Sequence, residues 1–420
     1  MNLVLGLAFY VADRQTTPAA TIHPSPAAPF GQLFTSDGAP IDTGRRTKYQ
    51  LDWFDYAAYG STAPEQVGEI LDDFFDLSQL GFMYQPWTHF AEPPFKGQQV
   101  HVDLDTRGFP VRRTENPPHD PRQPIVTIFT LGGSTTFGYN VADTQTWPTY
   151  LSSILNEQAR AAHLPFQVDV VNYGRGYFYP GQELMLAIDL LKNGYRPSVM
   201  IFLDGVNIGP ADDTPIFSRE IKGRFTSRQF TAPSSTASLQ WVPMIRLARA
   251  IGSRLSGMHP DSSIEHPDVP SHASIPHAIN RFHQTRDLLT RICDAYGVTP
   301  VFFLQPEAAH SYAPTLFRRS LPDSFQRERV WMQEFYAGLA QAPGLINLSH
   351  LFNDWGQDRK AIIDDVHYSP DFHRFLAETI ASHIPLNRLI PRLLYDDRAA
   401  TGTPRDSSWQ RDQRQNSNPE

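Results

Sequence analysis

Ser134 closes the run Ile125-Val-Thr-Ile-Phe-Thr-Leu-Gly-Gly-Ser134, where an apolar, β-branched stretch stops at two glycines and then presents a hydroxyl. A serine is a useful nucleophile only when a base takes its proton as it attacks. His367 is the candidate base, in Ile363-Asp364-Asp365-Val366-His367-Tyr-Ser-Pro370 just ahead of a helix start. Its other ring nitrogen needs an acceptor that fixes the tautomer and steadies the imidazolium, and Asp364 and Asp365 both precede it closely enough to serve. Serine, then aspartate, then histidine is a hydrolase order along the chain.

Two more fragments end apolar runs in the same way: Val170-Val-Asn172-Tyr-Gly174-Arg-Gly176 and Ile201-Phe-Leu-Asp-Gly205-Val-Asn207. Singly, each residue has a plain structural explanation. Ser134 reads as a cap, Asn172 and Asn207 as turn formers, and His367 as a surface histidine before Pro370. Together, in order and on separate strand ends that converge on one sheet edge, they favour a catalytic site.

With these four blocks the chain resembles the SGNH or GDSL hydrolase superfamily, over about residues 125 to 390. The resemblance implies Ser134 as nucleophile, His367 as base and, from the Asp-x-x-His spacing, Asp364 rather than Asp365 as the acid. It also implies an oxyanion hole built from the Ser134 amide, the Gly176 amide and the Asn207 side chain, with Gly174 the other glycine of the second block. Two positions depart from the family pattern: Gly133 and Ile208 each stand where the family has an aspartate. Through this glycine variant the resemblance implies an extracytoplasmic setting, whether periplasmic, membrane-anchored or secreted, with a cytoplasmic one left open. Arg175 and Gln305 are supporting or substrate-binding candidates; Arg175 suits either an acidic or sugar group or a structural salt bridge.

Strand and helix alternate through this region, the pattern of a parallel sheet with crossover helices. Strands are expected at 125–131, 167–172, 199–204, 299–304 and 345–348, with helices near 146–162, 181–193, 277–296, 323–341 and 370–383. The expectation is an α/β fold, a three-layer α/β/α sandwich on a five-stranded parallel, flavodoxin-like sheet. Ligands in such sheets sit outside the carboxyl ends of the strands, where Ser134, Asn172–Gly176 and Asn207 would fall.

Around this core, residues 1–43 read as an apolar amino terminus followed by a linker rich in proline, alanine and threonine. Met1 to Ala12 is too short for a full membrane span and fits a truncated anchor, a signal or a structural segment. Residues 44–122 read as an aromatic-rich accessory region with a short helix near 64–76, packing on the hydrolase domain at 123–395. The stretch 208–276 interrupts that domain beside Asn207 as a lid, an acyl-acceptor surface or an inert loop. Residues 396–420 carry almost no apolar content and read as a disordered tail.

The 420 residues include 36 basic and 44 acidic side chains, a net charge of −8, which argues against nucleic acid and against a polybasic membrane patch. Cys293 is the sole cysteine, so an internal disulfide is excluded; its apolar helical setting reads as core. The histidines lack metal-ligand spacing, and no metal or cofactor is expected. The reading is a serine esterase that removes a small, acetyl-like group from a carbohydrate or cell-envelope glycan. The alternatives are acyl transfer to a glycan hydroxyl with the same triad, and a non-catalytic glycan-binding or envelope-assembly protein.

Overall fold

A computed structural model describes residues 54–205, 207–208, 274–317, 323–340, 342–356, 359–384 and 386, with a short antiparallel pair at Leu33–Phe34 and Pro40–Ile41. The expectations for residues 1–12, for most of the linker and of the 208–276 insertion, and for the tail fall outside these residues.

The strands are β1 (Met83–Gln85), β2 (His89–Ala91), β3 (Phe95–Lys96), β4 (His101–Leu104), β5 (Pro110–Arg112), β6 (Ile125–Gly132), β7 (Gln167–Asn172), β8 (Val199–Asp204), β9 (Thr299–Leu304) and β10 (Leu345–Asn347). The main helices are α1 (Pro64–Leu80), α2 (Ser134–Phe137), α3 (Trp147–Ala161), α4 (Pro180–Lys192), α5 (Ile275–Ala295), α6 (Asp323–Leu339) and α7 (Pro370–Ser382).

The main sheet has eight strands in the order β10-β9-β8-β6-β7-β5-β4-β3 and is mixed. This corrects the expected five-stranded parallel sheet. The strands from β10 to β7 pair in parallel, but β5, β4 and β3 continue the sheet antiparallel, with Arg112 opposite Asn172. The added strands escape a sequence reading because they are short and partly polar, carrying Lys96, His101 and Asp103 in place of a long apolar run.

β8 is buried at every residue, as a strand covered on both faces must be, and its apolar composition follows from that. Helix starts are locally encoded. Thr146 caps α3 by accepting from Thr149 N at 3.3 Å, and Ser369 caps α7 by accepting from Phe372 N at 3.2 Å, with proline in the first turn of each.

The accessory region shares its core with the serine segment. Tyr59, Ile70, Leu71, Phe74 and Val102 pack with Phe137, Val141 and Ile363, all buried. Each such side chain contributes about 1.5–3 kcal/mol on burial, so residues 54–112 brace the turns carrying Ser134 and Asp364. No described helix is long and apolar enough to cross a membrane.

Candidate active site

β6 ends at Gly132, next to Leu203 of β8, and Gly133 caps α2, whose first residue is Ser134. The glycines are needed for space. A Cβ on Gly133 would lie 2.3 Å from Asn207 Nδ2 and 3.3 Å from the Phe178 carbonyl oxygen; one on Gly132 would lie 2.1 Å from Thr136 Oγ1. The aspartate that the family pattern has at 133 would therefore collide with the asparagine meant to sit beside the serine. The Asn207 side-chain amide is held there by donating to Phe178 O at 2.7 Å. Ile208, the second departure, packs with Ile275, Phe282, Leu304 and Trp331, so an apolar contact replaces the carboxylate.

The histidine turn is closed by a bridge between Ile362 and Tyr368 and by Ile363 N donating to His367 O at 2.8 Å. Within it Asp364, rather than Asp365, reaches the ring, with His367 Nδ1 and Asp364 Oδ2 2.6 Å apart. Asp364 Oδ1 accepts from the amides of Val366 and His367, both at 2.7 Å. Burial works against its ionisation, but the charge of His367 and these hydrogen bonds prevail and hold the carboxyl below the usual range.

The serine segment and the histidine turn meet through two residues that the sequence did not single out. Asn140 Nδ2 donates to Asp364 Oδ2 at 2.9 Å. The Tyr139 ring stacks on the His367 ring, with centroids 5.4 Å apart and planes 19° apart. Tyr59, from the accessory region, donates to Asn140 O at 2.8 Å. Gly138-Tyr139-Asn140 reads locally as a turn, and both Gly138 and Asn140 have positive φ, so its only signal is its place just after the serine. Among the described residues no hydrogen bond joins Ser134 Oγ to His367. Without substrate, catalytic hydrogen bonds are often long and tighten only in the loaded complex.

Several expected roles change. The Gly176 amide donates to Glu92 Oε1 at 2.6 Å and the Gly174 amide to Asn172 Oδ1 at 2.9 Å, so each is already spent and neither is an open oxyanion donor. Asn172 is fully buried and ties this turn to α2 by donating to Thr136 O at 2.8 Å. Arg175 cannot grip substrate, because it is fully buried and donates to the carbonyls of Gly174 and Pro110. Gln305 supports the serine turn, accepting from Thr135 Oγ1 at 3.1 Å and lining a crevice with Gly133 and Asn207.

Three further described histidines and the cysteine have structural places. His373 is buried, accepts from Trp147 N at 3.1 Å, and is held neutral by burial with its pKa lowered to about 3. His383 ends α7 and His350 is exposed beside Asp354. Cys293 is buried in α5, and burial pushes its thiol up to about 12. Among the described residues no group of three His, Cys, Asp or Glu side chains is arranged to hold a metal.

Behind Asn207, Glu183 of α4 and Asp204 at the end of β8 line one crevice, both buried. Burial pushes Asp204 up to about 7 against the pull of Glu183 and Arg286, and burial with the Asp204 charge pushes Glu183 well up. Below pH ~4 the folded and unfolded chains both hold these protons. Between pH ~4 and ~7 the unfolded carboxyls ionise first, so stability falls as pH rises. Glu183→Gln should therefore flatten the decline. Thermal melts at pH 5 and pH 8 check this: wild type should lose more stability than the variant across that interval.

No family model matches the chain, and no curated protein matches it. Solved structures do. Among the solved structures it is similar to are esterases and GDSL-type lipolytic hydrolases. An acetyl xylan esterase aligns at 11% identity over 62% of this chain and 100% of its own, with a TM-score of 0.33. A member of the lipolytic protein G-D-S-L family from Veillonella parvula aligns at 10% identity over 60% and 94%, with a TM-score of 0.32. The lipase/acylhydrolase from Enterococcus faecalis aligns at 14% identity over 61% and 94%, also with a TM-score of 0.32.

Proposed function

We propose that this protein is a serine carboxylester hydrolase of the SGNH type that removes a small acyl group through an acyl-enzyme. The observation that carries the reading is the Asp364–His367 pair at 2.6 Å, tied by Tyr139 and Asn140 to the segment that presents Ser134. Ser134 Oγ attacks the ester carbonyl while His367 Nε2 takes its proton. The oxyanion is received by the Ser134 amide at the start of α2 and by the second N–H of the Asn207 side chain. The bond from the carbonyl carbon to the alcohol oxygen then breaks, and the imidazolium returns the proton to the leaving alcohol. Water, deprotonated by His367, attacks the acyl-enzyme and releases the free acid and Ser134.

A carbohydrate alcohol is the favoured leaving group. A pocket lined by Tyr179, Asn207 and Thr285 adjoins the oxyanion asparagine, and an aromatic ring beside polar side chains suits a sugar. The test is acyl release from p-nitrophenyl esters of increasing chain length and from acetylated oligosaccharides, with and without a deacetylated glycan as acceptor. Free acetate from acetylated sugar, undiminished by acceptor, is the expected result. Acyl groups recovered only on the acceptor would replace hydrolysis by transfer, and no turnover of any ester would leave a glycan-binding protein.

A further inference from the structure

We propose that Glu92, supplied by the accessory region, is a positioning residue for His367 that acts through Tyr139; this rests on the triad reading above. The β1–β2 hairpin pairs Met83 with Ala91 and Gln85 with His89, and it delivers Glu92 directly after its second strand. Glu92 is 1% exposed, in a part of the chain with no sequence link to any of the four blocks. Its Oε1 accepts from Tyr139 Oη at 3.0 Å and from Gly176 N at 2.6 Å, while Oε2 has no hydrogen-bond partner among the described residues.

Tyr139 then turns its ring face to the His367 imidazole, 5.4 Å away and 19° from parallel. A carboxylate that accepts a phenol proton makes a charge-assisted bond and leaves more electron density on the ring. That face attracts an imidazolium more than a neutral imidazole. Glu92 therefore favours the protonated base that exists only while the tetrahedral intermediate does, without touching substrate. Burial pushes the Glu92 carboxyl up, opposed by the Arg175 charge and by both hydrogen bonds. The charge of the fully buried Arg175 is the strongest influence favouring the carboxylate beside Tyr139, while burial leaves the net shift upward.

A scaffold role alone would fix the Gly176 turn and leave the imidazole's proton affinity untouched. The test is an NMR titration of isotope-labelled histidine in the full chain, comparing wild type, Glu92→Gln, Tyr139→Phe and the double variant. Glu92→Gln keeps an acceptor for the Gly176 amide, and Tyr139→Phe keeps the Glu92 charge and the stacked ring. Asp364 and the buried His373, the other titratable groups bearing on His367, are unchanged in all four.

Each single variant should lower the proton affinity of His367 about threefold to tenfold. The double variant should lie no lower than the weaker single, since both cut one link. Fluorophosphonate labelling of Ser134 should slow by a similar factor. An unshifted His367 in folded Tyr139→Phe overturns the link, because Glu92 would then act only as a distant charge or as scaffold; additive shifts overturn it too. Linked shifts in a protein that neither labels nor cleaves esters would keep the link and discard the esterase reading instead.

Discussion

Ser134→Ala is expected to lower ester turnover by about a millionfold while leaving the fold intact. Of the hydroxyls just after β6, Thr135 is committed to Gln305 and Thr136 is fully buried, which leaves the half-buried Ser134 to form the acyl-enzyme. Ser134 Oγ makes no hydrogen bond among the described residues, so its removal leaves no buried partner unsatisfied. The stability should stay within the scatter of ordinary surface substitutions, about 0.5 kcal/mol, as thermal melts would show. Steady-state kinetics with p-nitrophenyl acetate check the rate, and mass spectrometry of fluorophosphonate-treated wild type should place the adduct on Ser134. Undiminished turnover in the alanine variant, or an adduct elsewhere, would remove Ser134 from the mechanism.

The parts of this site that a sequence reveals are those bound to strand ends. Ser134 follows β6, Asn172 ends β7 and Asn207 follows β8, because an apolar run that stops at glycine or asparagine marks the strand edge and its chemistry together. The strands of six to eight residues, β6 to β9, were legible because their apolar residues run long enough to mark a strand, while the three-residue β10 shows only through Leu345 and Ile346. What stayed hidden lies in contacts between distant segments. Glu92 sits in Ala91-Glu-Pro-Pro with no periodic pattern around it, and only the fold brings it to Gly176 and Tyr139. Spacing from Asn172 cannot choose between the Gly174 and Gly176 amides, since it says nothing about a carboxylate arriving from the β1–β2 hairpin. The three short antiparallel strands were missed because half-polar pieces of two to four residues carry too little signal to be told from loop.

Position alone leaves Asp364 and Asp365 as alternative partners for His367, and in the structure Asp364 makes the contact. Asp364→Asn should lower turnover by about ten-thousandfold. Two backbone amides, of Val366 and His367, point at Oδ1, so the carbonyl oxygen of an asparagine must stay there. Its NH2 then falls where Oδ2 was, facing His367 Nδ1 and Asn140 Nδ2. A donor against Nδ1 forces that nitrogen to accept and puts the ring proton on Nε2, where the base should be free to take the serine proton. The Asn140 amide also loses its acceptor, at a cost of about 1–3 kcal/mol. Because the Asp364 carboxyl is held below its ordinary range, its contribution to stability is present above pH ~4 and fades as pH falls through the folded value. The stability gap between wild type and Asp364→Asn should accordingly be wide at pH 7 and narrow in acid, as denaturant melts at both pH values would show. Asp365→Asn, whose carboxylate does not reach the imidazole, should turn over ester close to wild type. A severe loss in Asp365→Asn with activity retained in Asp364→Asn would mean that the 2.6 Å pair is structural and that the base is oriented by another group.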